Sequence, residues 1–248
     1  MTDKIVIRAS GLTKSFGAFT ATDHITFEVH EGEIFGFLGA NGAGKTTAMR
    51  MLCGLSQPTD GRATVAGYDV ATQHEQVKRN IGYMSQKFSL YDDLTVEENM
   101  TLFGGIYGMK RGDIRERITE LLGGLGFEGV RKEMVKSLPL GWKQKLAFSL
   151  AIFHRPKIVF LDEPTGGVDP ITRRQFWQMI RDAAAGGTTI FVTTHYMDEA
   201  EYCDRVSIMV DGKIEALDSP AELKRKYQTD SMYGVFYALA RMAKRSPS

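Results

Sequence analysis

With 248 residues, 31 of them basic and 30 acidic, the chain is long enough for one large α/β domain or two small ones, and its net charge is only +1. This balance gives no case for nucleic-acid binding, and two cysteines without metal-like spacing or a disulfide framework fit a reducing cytoplasm. No stretch approaches the ~20 apolar residues of a membrane span and no secretory leader is recognisable, so we expect any membrane role to depend on a partner.

Two segments with alternating hydrophobicity begin the chain, Ile5 to Ala9 and Ile25 to Val29. Alternation of this kind predicts an antiparallel sheet with one face exposed. Phe16 lies between the two segments, directly before Gly17. The pattern alone favours a core position for Phe16, although an aromatic face can also stack on a base.

The segment from Ile34 to Gly54 has the order apolar strand, glycine-rich loop and helix, and it contains the pattern G-x-x-x-x-G-K-[ST]. Glycines allow several backbone N–H groups to converge on one anion, and the helix N-terminus adds partial positive charge. Lys45 can reach the β- and γ-phosphates, and the Thr46 hydroxyl can ligate Mg²⁺, so the loop predicts a nucleoside triphosphate site. The residues expected to hold the nucleotide are Gly39, Asn41, Gly42, Ala43, Gly44, Lys45, Thr46 and Thr47.

A turn and a short hairpin follow the first helix. Pro58 to Gly61 has typical turn chemistry, and Arg62 to Val65 pairs in our prediction with the region around Tyr68. Further along, Gln86 is a neutral amide in an apolar neighbourhood. It is either a surface polar residue or a ligand of a metal ion or water at the site.

Helical patterns dominate residues 95–154, which we interpret as an insertion in an α/β core. Thr95 to Glu98 is a capping box that opens a helix ending near Gly108, and Asp113 is predicted to cap the next helix. Pro139 suits the first turn of a third helix, whose N-terminus near Gly141 is a second possible anion site. Spacing alone leaves open whether the apolar faces pack internally or dock a partner.

Two carboxylates, Asp162 and Glu163, follow the apolar run that starts at Ile158. A continuous apolar run is typical of a central parallel strand, and α/β sheets bind ligands beyond the carboxyl ends of their strands. Adjacent side chains on a strand point to opposite faces, so we assign Asp162 to the Mg²⁺ shell and Glu163 to the attacking water. The alternative is that the two acids merely cap the next helix.

The remaining elements are further strands and helices. Asp169 is predicted as the N-cap of a helix with Pro170 at its first position, and Thr189 to Thr193 as a buried strand. His195 lies just beyond that strand, where contact with the γ-phosphate or water is favoured over a structural role. Residues 205–216 are predicted to form a hairpin, which is followed by the last clear helix, capped by Ser219. A basic tail comes next, and it is either solvated or attracted to an anionic membrane surface.

Over residues 4–226 the chain resembles the ATPase subunits of ABC transporters, whose motifs occur here in the family's order. Residues 39–47 match the Walker A loop and residues 158–163 match Walker B with its catalytic glutamate. Gln86 matches the Q-loop glutamine, Asp169 the D-loop aspartate and His195 the switch histidine. Phe16 falls where the family has its base-stacking aromatic, which reverses the preference for a core position.

The resemblance implies a P-loop NTPase (RecA-like) core with an antiparallel β subdomain and an inserted α-helical subdomain. The core would comprise residues 1–94 and 155–226, the helical subdomain residues 95–154, and the tail residues 227–248. ATP and Mg²⁺ are the implied ligands, with Lys45, Glu163 and His195 as catalytic residues. The implied metal set is Thr46, Gln86 and Asp162, and the nucleotide set adds Phe16, Gln86, Gly141 and Asp169 to the loop.

One motif departs from the family pattern. Where relatives carry Leu-Ser-Gly-Gly-x-x-Gln, residues 138–144 read LPLGWKQ, so Pro139 replaces the serine and Leu140 the first glycine. In the family, this helix covers the nucleotide of a second subunit in a head-to-tail dimer. The chain loses the serine hydroxyl and keeps a helix N-terminus, which predicts weakened ATP-driven closure.

Within the family, the chain resembles the ATPases of export systems for drugs, polysaccharides and similar molecules, in which the permease is a separate membrane protein. Three segments carry this resemblance: the altered signature, residues 163–170, and the segment from Ser231 to Phe236. The implied partners are an integral membrane permease and a second ATPase subunit, either identical or paralogous, with no nucleic acid. The implied location is cytoplasmic, on the inner face of the membrane through the permease. The alternatives are a soluble ABC ATPase acting on ribosomes or DNA, and a regulatory ATP-binding module with little turnover.

Overall fold

The computed structural model describes residues 4–243, which form two sheets with helices packed around them. The strands are β1 (Ile5–Phe16), β2 (Phe19–His30), β3 (Ile34–Gly39), β4 (Asp60–Val65), β5 (Tyr68–Asp69), β6 (Ile81–Met84), β7 (Ile158–Asp162), β8 (Thr189–Thr194), β9 (Arg205–Val210) and β10 (Lys213–Asp218). The helices are α1 (Lys45–Leu52), α2 (His74–Asn80), α3 (Val96–Ile106), α4 (Arg111–Leu125), α5 (Leu140–Ala151), α6 (Pro170–Ala185), α7 (Pro220–Lys226) and α8 (Met232–Ala243). Short 3₁₀ helices cover Glu128–Val130, Val135–Ser137 and Met197–Tyr202.

The larger sheet has the strand order β10-β9-β3-β8-β7-β6 and is parallel except for β10. Strands β3, β7 and β8 are completely buried, as their continuous apolar runs predict. The smaller sheet, β2-β1-β4-β5, is antiparallel. The predicted α/β class with an antiparallel subdomain is therefore confirmed.

The first hairpin is longer than its sequence pattern indicates. Strands β1 and β2 each span twelve residues instead of five, and Phe16 pairs with Phe19 at their turn. Register shifts between Ala9 and Leu12 and again between Leu12 and Lys14 interrupt the pairing. Irregularities of this kind break the period-two alternation, which hides the continuation of the strand from a sequence pattern.

The two sheets pack on a cluster of phenylalanine rings. The ring centroid of Phe191 lies 5.2–6.1 Å from those of Phe27, Phe35, Phe37 and Phe160. Burying one such ring contributes about 1.5–3 kcal/mol. Because β3 and β7 belong to this core, the loops that follow them are attached to a rigid support.

The buried apolar residues of α3 and α4 form a separate cluster together with Leu146 and Leu150 of α5. The opposite side of α5 contributes Ala147, Phe148 and Ala151 to a cluster on the larger sheet, so α5 joins the helical segment to the sheet.

The capping box at Thr95 is confirmed, with the Glu98 N–H donating to the threonine hydroxyl oxygen. The capping role of Asp113 is wrong, because α4 already begins at Arg111 and Asp113 lies in its first turn. Pro139 is the N-cap of α5 and not a residue of its first turn.

The C-terminal part contains one more helix than the sequence pattern predicts. Ser219 caps α7 as predicted, but α7 is not the last helix. Helix α8 follows and buries Met232, Val235 and Leu239 in the cluster on one face of the larger sheet. Of the predicted basic tail, Lys244 and Arg245 lie outside the described residues. Within residues 4–243, every helix is too short or too polar to cross a membrane.

Candidate functional site

The loop between β3 and α1 depends on glycine backbone conformations. Gly42 has a φ of 83°, and Gly44, the N-cap of α1, has a φ of 102°. A Cβ atom on Gly44 would lie 2.2 Å from the Ala21 carbonyl oxygen. Both the left-handed conformation and the close approach therefore require glycine at position 44.

Lys45 is buried at the start of α1 with its ammonium group turned back toward the loop. The Nζ atom donates hydrogen bonds to the carbonyl oxygens of Gly39 at 2.9 Å and Ala40 at 3.1 Å. It also lies 3.3 Å from Glu163 Oε1. The Lys45 ammonium thus faces the carboxylate that follows β7, at a position where it would also attract a phosphate group.

Asp162 and Thr46 offer two oxygen atoms from different elements. The Thr46 hydroxyl donates to Asp162 Oδ1 at 3.2 Å, and the Thr193 hydroxyl donates to the same oxygen at 2.7 Å. Burial raises the pKa of the Asp162 carboxyl above its usual value, and these two hydrogen bonds only partly offset the effect. A cation beside Asp162 would favour its ionised form.

Glu163 is the point at which the site residues meet. Its Oε2 atom accepts a hydrogen bond from Gln86 Nε2 at 3.1 Å and lies 3.1 Å from His195 Nδ1. Its backbone has a φ of 47°, an uncommon value for a side chain of this size. The Glu163 N–H donates to both the carbonyl oxygen and the hydroxyl oxygen of Thr193, which fixes the turn.

The two adjacent carboxylates have different neighbours, but strand alternation is not the cause, because β7 ends at Asp162 and Glu163 lies in the turn beyond it. Asp162 contacts the hydroxyls of Thr46 and Thr193, whereas Glu163 contacts Lys45, Gln86 and His195. The alternative that they cap the following helix is wrong, because α6 is capped by Asp169. One strand end thus presents a hydroxyl-bonded carboxylate and a second carboxylate that faces nitrogen donors.

A pocket of about 430 Å³ adjoins this group of residues, and Asp162 and His195 are not part of its lining. It is lined by Phe19, Ala21, Asn41, Gly42, Gly44, Lys45, Thr46, Thr47, Gln86 and Glu163. Phe19 is a residue that sequence reasoning missed, and its pairing with Phe16 across the hairpin turn is the signal that identifies it. Phe16 itself is 57% exposed, so the prediction of a core position for it is wrong. The Nζ atom of Lys14 lies over the Phe16 ring, 5.2 Å from its centroid.

Gly141 and Asp169 lie outside the set of residues that line the pocket. Asp169 caps α6, accepting hydrogen bonds from the N–H groups of Ile171 at 2.9 Å and Thr172 at 3.0 Å. A Cβ atom on Gly141 would lie 2.7 Å from Thr172 Cγ2, so the starts of α5 and α6 are in close contact. The structure therefore places these two predicted nucleotide residues together, around Thr172, and neither of them lines the pocket.

The side chains beside the phosphate loop fit a hard divalent cation such as Mg²⁺, provided that the bound nucleotide supplies some of its ligands. Residues 4–243 contain no group of three or more His, Cys, Asp and Glu side chains arranged to enclose a metal. Mg²⁺ commonly uses only one or two protein oxygens and completes its coordination with phosphate and water. Thr46 and Asp162 supply oxygens of the required kind next to the phosphate loop.

Comparison with known proteins places this site in a family context. Residues 22–166 match the family model described as ABC transporter. The chain is 48% identical over 225 residues to the probable multidrug ABC transporter ATP-binding protein YbhF of Escherichia coli, covering 91% of the chain and 39% of that protein. It is 32% identical to the linearmycin resistance ATP-binding protein LnrL of Bacillus subtilis, covering 92% and 73%. With the daunorubicin/doxorubicin resistance ATP-binding protein DrrA of Streptomyces peucetius it shares 37% identity, covering 88% and 66%.

Solved structures agree with this assignment. The ATP binding subunit of an ABC transporter superposes with a TM-score of 0.85 at 27% identity, covering 95% of the chain and 99% of that structure. A dimeric post-hydrolysis state of an ATP-binding cassette bound to ADP and Pi superposes with a TM-score of 0.77 at 25% identity, covering 86% and 98%. The chain spans about two fifths of the length of the Escherichia coli relative.

Proposed function

The chain belongs to the ABC transporter family, and from that premise we propose that it binds and hydrolyses ATP to drive export through a separate membrane permease. The observation that carries the proposal is the position of Glu163, which contacts Lys45, Gln86 and His195 beside the phosphate loop. Relatives named for multidrug, linearmycin and daunorubicin/doxorubicin resistance support a drug or similar organic molecule as the cargo.

ATP would bind with its phosphates in the loop from Gly39 to Thr47 and its base near the first hairpin turn. The backbone N–H groups at the start of α1 suit the phosphate oxygens, and Lys45 can exchange its carbonyl contacts for the β- and γ-phosphates. Phe16 and Phe19 are both exposed at that turn, so either ring can stack on the base.

Mg²⁺ would be held by Thr46 and Asp162, with Gln86 as a further oxygen ligand once its amide turns away from Glu163. Bound there, the ion would neutralise charge that develops on the β- and γ-phosphates. The raised pKa of Asp162 agrees with this role, because a buried carboxylate gains most from a nearby cation.

In the hydrolytic step, Glu163 would orient a water molecule and accept its proton. The water oxygen forms a bond to the γ-phosphorus while the bond from that phosphorus to the bridging oxygen breaks, giving ADP and phosphate. His195 lies 3.1 Å from Glu163 and can donate a hydrogen bond to the γ-phosphate or hold the same water. Lys45 stabilises the negative charge of the transferring group.

A second ATPase subunit would complete the site. Gly141 and Asp169 lie together at the starts of α5 and α6 and away from their own pocket, where they are available to the nucleotide of a partner. Closure of such a dimer would move the helical subdomain, residues 95–154, and Gln86 would link that movement to the nucleotide. The permease would hold the subunit at the inner face of the membrane.

The test is purification of the protein from its native membranes in mild detergent, followed by mass spectrometry and a phosphate-release assay. We expect a stoichiometric multi-span membrane protein and ATP turnover that a Glu163→Gln variant abolishes. Recovery in the soluble fraction with ribosomes or DNA-repair proteins would refute the transporter role. ATP binding without phosphate release would instead favour a regulatory module.

A further inference from the structure

Glu199 is a fully buried carboxylate outside the pocket. It lies in the 3₁₀ helix Met197–Tyr202, and its exposed fraction is 0%. The Thr165 hydroxyl donates to its Oε1 at 2.5 Å, and the Thr194 hydroxyl donates to its Oε2 at 2.6 Å. Each carboxylate oxygen therefore holds one hydroxyl from a different segment of the chain.

Arg173 is a cationic neighbour of the Glu199 carboxylate. Arg173 Nε lies 3.6 Å from Glu199 Oε1, beyond hydrogen-bond distance, and its guanidinium lies 4.1 Å from the ring centroid of Tyr196. Arg173 Nη1 also lies 3.7 Å from Asp198 Oδ2. A buried charge is costly unless it is paired and hydrogen-bonded, so the two hydroxyls are needed to retain the carboxylate at this position.

The two hydroxyls belong to the segments that carry the Glu163–His195 pair. Thr165 lies two residues after Glu163, and Thr194 directly precedes His195. The Gly166 N–H donates to the Glu163 carbonyl oxygen, so Thr165 lies within a tight turn that begins at Glu163. Glu199 thus joins the chain on both sides of the 3.1 Å contact between Glu163 and His195.

The geometry assigns Glu199 as a positioning residue that fixes the separation of Glu163 and His195. The assignment rests on the proposed hydrolysis of ATP, in which these two side chains act on the same water or phosphate. A displacement of about 1 Å between reacting groups can cost about 100-fold in rate, so a fixed distance between them has a direct kinetic consequence.

The test removes one hydroxyl on the Glu163 side and measures the result on the His195 side. Thr165→Val deletes the donor to Glu199 while preserving the shape of the side chain, and Thr165→Ser retains the hydroxyl. Thr119→Val is the matched control, because the Thr119 hydroxyl donates to the Arg115 carbonyl oxygen on the exposed surface of α4. The readouts are kcat and KM for ATP and the imidazole ¹H–¹⁵N spectrum, with the His195 signal assigned from a His195→Gln variant.

We expect Thr165→Val to lower kcat about tenfold with KM within twofold and to shift the His195 imidazole signal. Thr165→Ser and Thr119→Val should resemble the unmodified protein. A Thr165→Val variant with unchanged kcat and an unmoved His195 signal would overturn the assignment, as would a loss confined to KM.

The same variants and measurements distinguish a failure of this inference from a failure of the proposed function. If the unmodified protein releases no phosphate from ATP, the proposed function fails, and the His195 signal in Thr165→Val still decides whether Glu199 positions the pair. If Thr165→Val does not fold, Glu199→Gln provides the second variant, since glutamine keeps the volume and loses the charge. A shifted His195 signal and lowered kcat in Glu199→Gln support the assignment, and wild-type values for both refute it.

Discussion

Lys45 Nζ and Glu163 Oε1 lie 3.3 Å apart, and their side chains are only 4% and 10% exposed. The proposed phosphate-binding cation and the proposed base are therefore in contact with each other at the wall of the pocket. A γ-phosphate that binds Lys45 would compete with Glu163 for the ammonium group, which frees the carboxylate to orient water. We therefore expect this contact to couple nucleotide binding to readiness for hydrolysis.

Removing either partner of this contact should have different consequences. Glu163→Gln keeps the hydrogen-bonding shape and loses the base, so we expect ATP affinity to be retained, a stable ATP-bound dimer to form and kcat to fall by at least about 100-fold. Lys45→Ala should abolish nucleotide binding. Equilibrium binding of labelled ATP and phosphate release measure both effects. Normal turnover by Glu163→Gln would show that the catalytic residue lies elsewhere.

The altered signature loop predicts that restoring the family sequence strengthens ATP-dependent dimerisation. Pro139 is the N-cap of α5, and Leu140 beside it is 47% exposed. Pro139→Ser with Leu140→Gly should tighten ATP-dependent dimerisation, because a hydrogen bond to a charged phosphate contributes about 1.5–3 kcal/mol. Light scattering in a Glu163→Gln background measures the dimer. Pro139→Ala with Leu140→Gly is the control, because it removes the same two side chains without adding a hydroxyl, and unchanged or weaker dimers of the Ser–Gly variant would show that this loop works differently.

The first hairpin turn predicts which ring supports the base. Phe16 and Phe19 are paired across the turn, and both are largely exposed. We expect Phe16→Ala to raise the Kd for ATP about fivefold, in line with about 1 kcal/mol for aromatic stacking, and to leave binding of inorganic triphosphate unchanged. Calorimetry with the two ligands gives the comparison. A larger loss of ATP affinity in Phe19→Ala would transfer the stacking role to Phe19.

The raised pKa of Asp162 predicts that its ionised carboxylate lowers the free energy of unfolding at neutral pH, although the same carboxylate is proposed to bind Mg²⁺. Because its folded-state pKa lies above the usual value, its stabilising contribution is fully present at low pH and is lost as the pH rises through the folded-state pKa. Asp162→Asn should therefore increase the free energy of unfolding at pH 7 by about 1 kcal/mol and gain less near pH 4. Urea unfolding without Mg²⁺ or nucleotide measures this, with Asp113→Asn as a surface control. An equal gain at both pH values would contradict the electrostatic origin.

The sequence reveals the features of this fold that depend on short-range chemistry. The phosphate loop, the buried strands and the caps at Thr95, Asp169 and Ser219 each follow from a few adjacent residues. The positive φ of Glu163 was not foreseen, because a non-glycine residue there is fixed by Thr193 from another strand. Glu199 is missed for the same reason, since its hydroxyl partners come from two other segments of the chain. Phe19 is missed because the register shifts in β1 hide the full length of the first hairpin.

The position of helices α3 to α5 within the chain has a consequence for folding. Met84 in β6 pairs with Leu161 in β7, and the intervening segment contains α3, α4 and α5, which share an apolar cluster to which α5 contributes one of its sides. Joining two distant strands costs loop-closure entropy, which falls when the loop between them is already compact. We therefore expect amides of α3 and α5 to gain protection before those of β7 in pulsed hydrogen exchange during refolding. The segment proposed to transmit motion would then also be the one that brings the last parallel strand pair together.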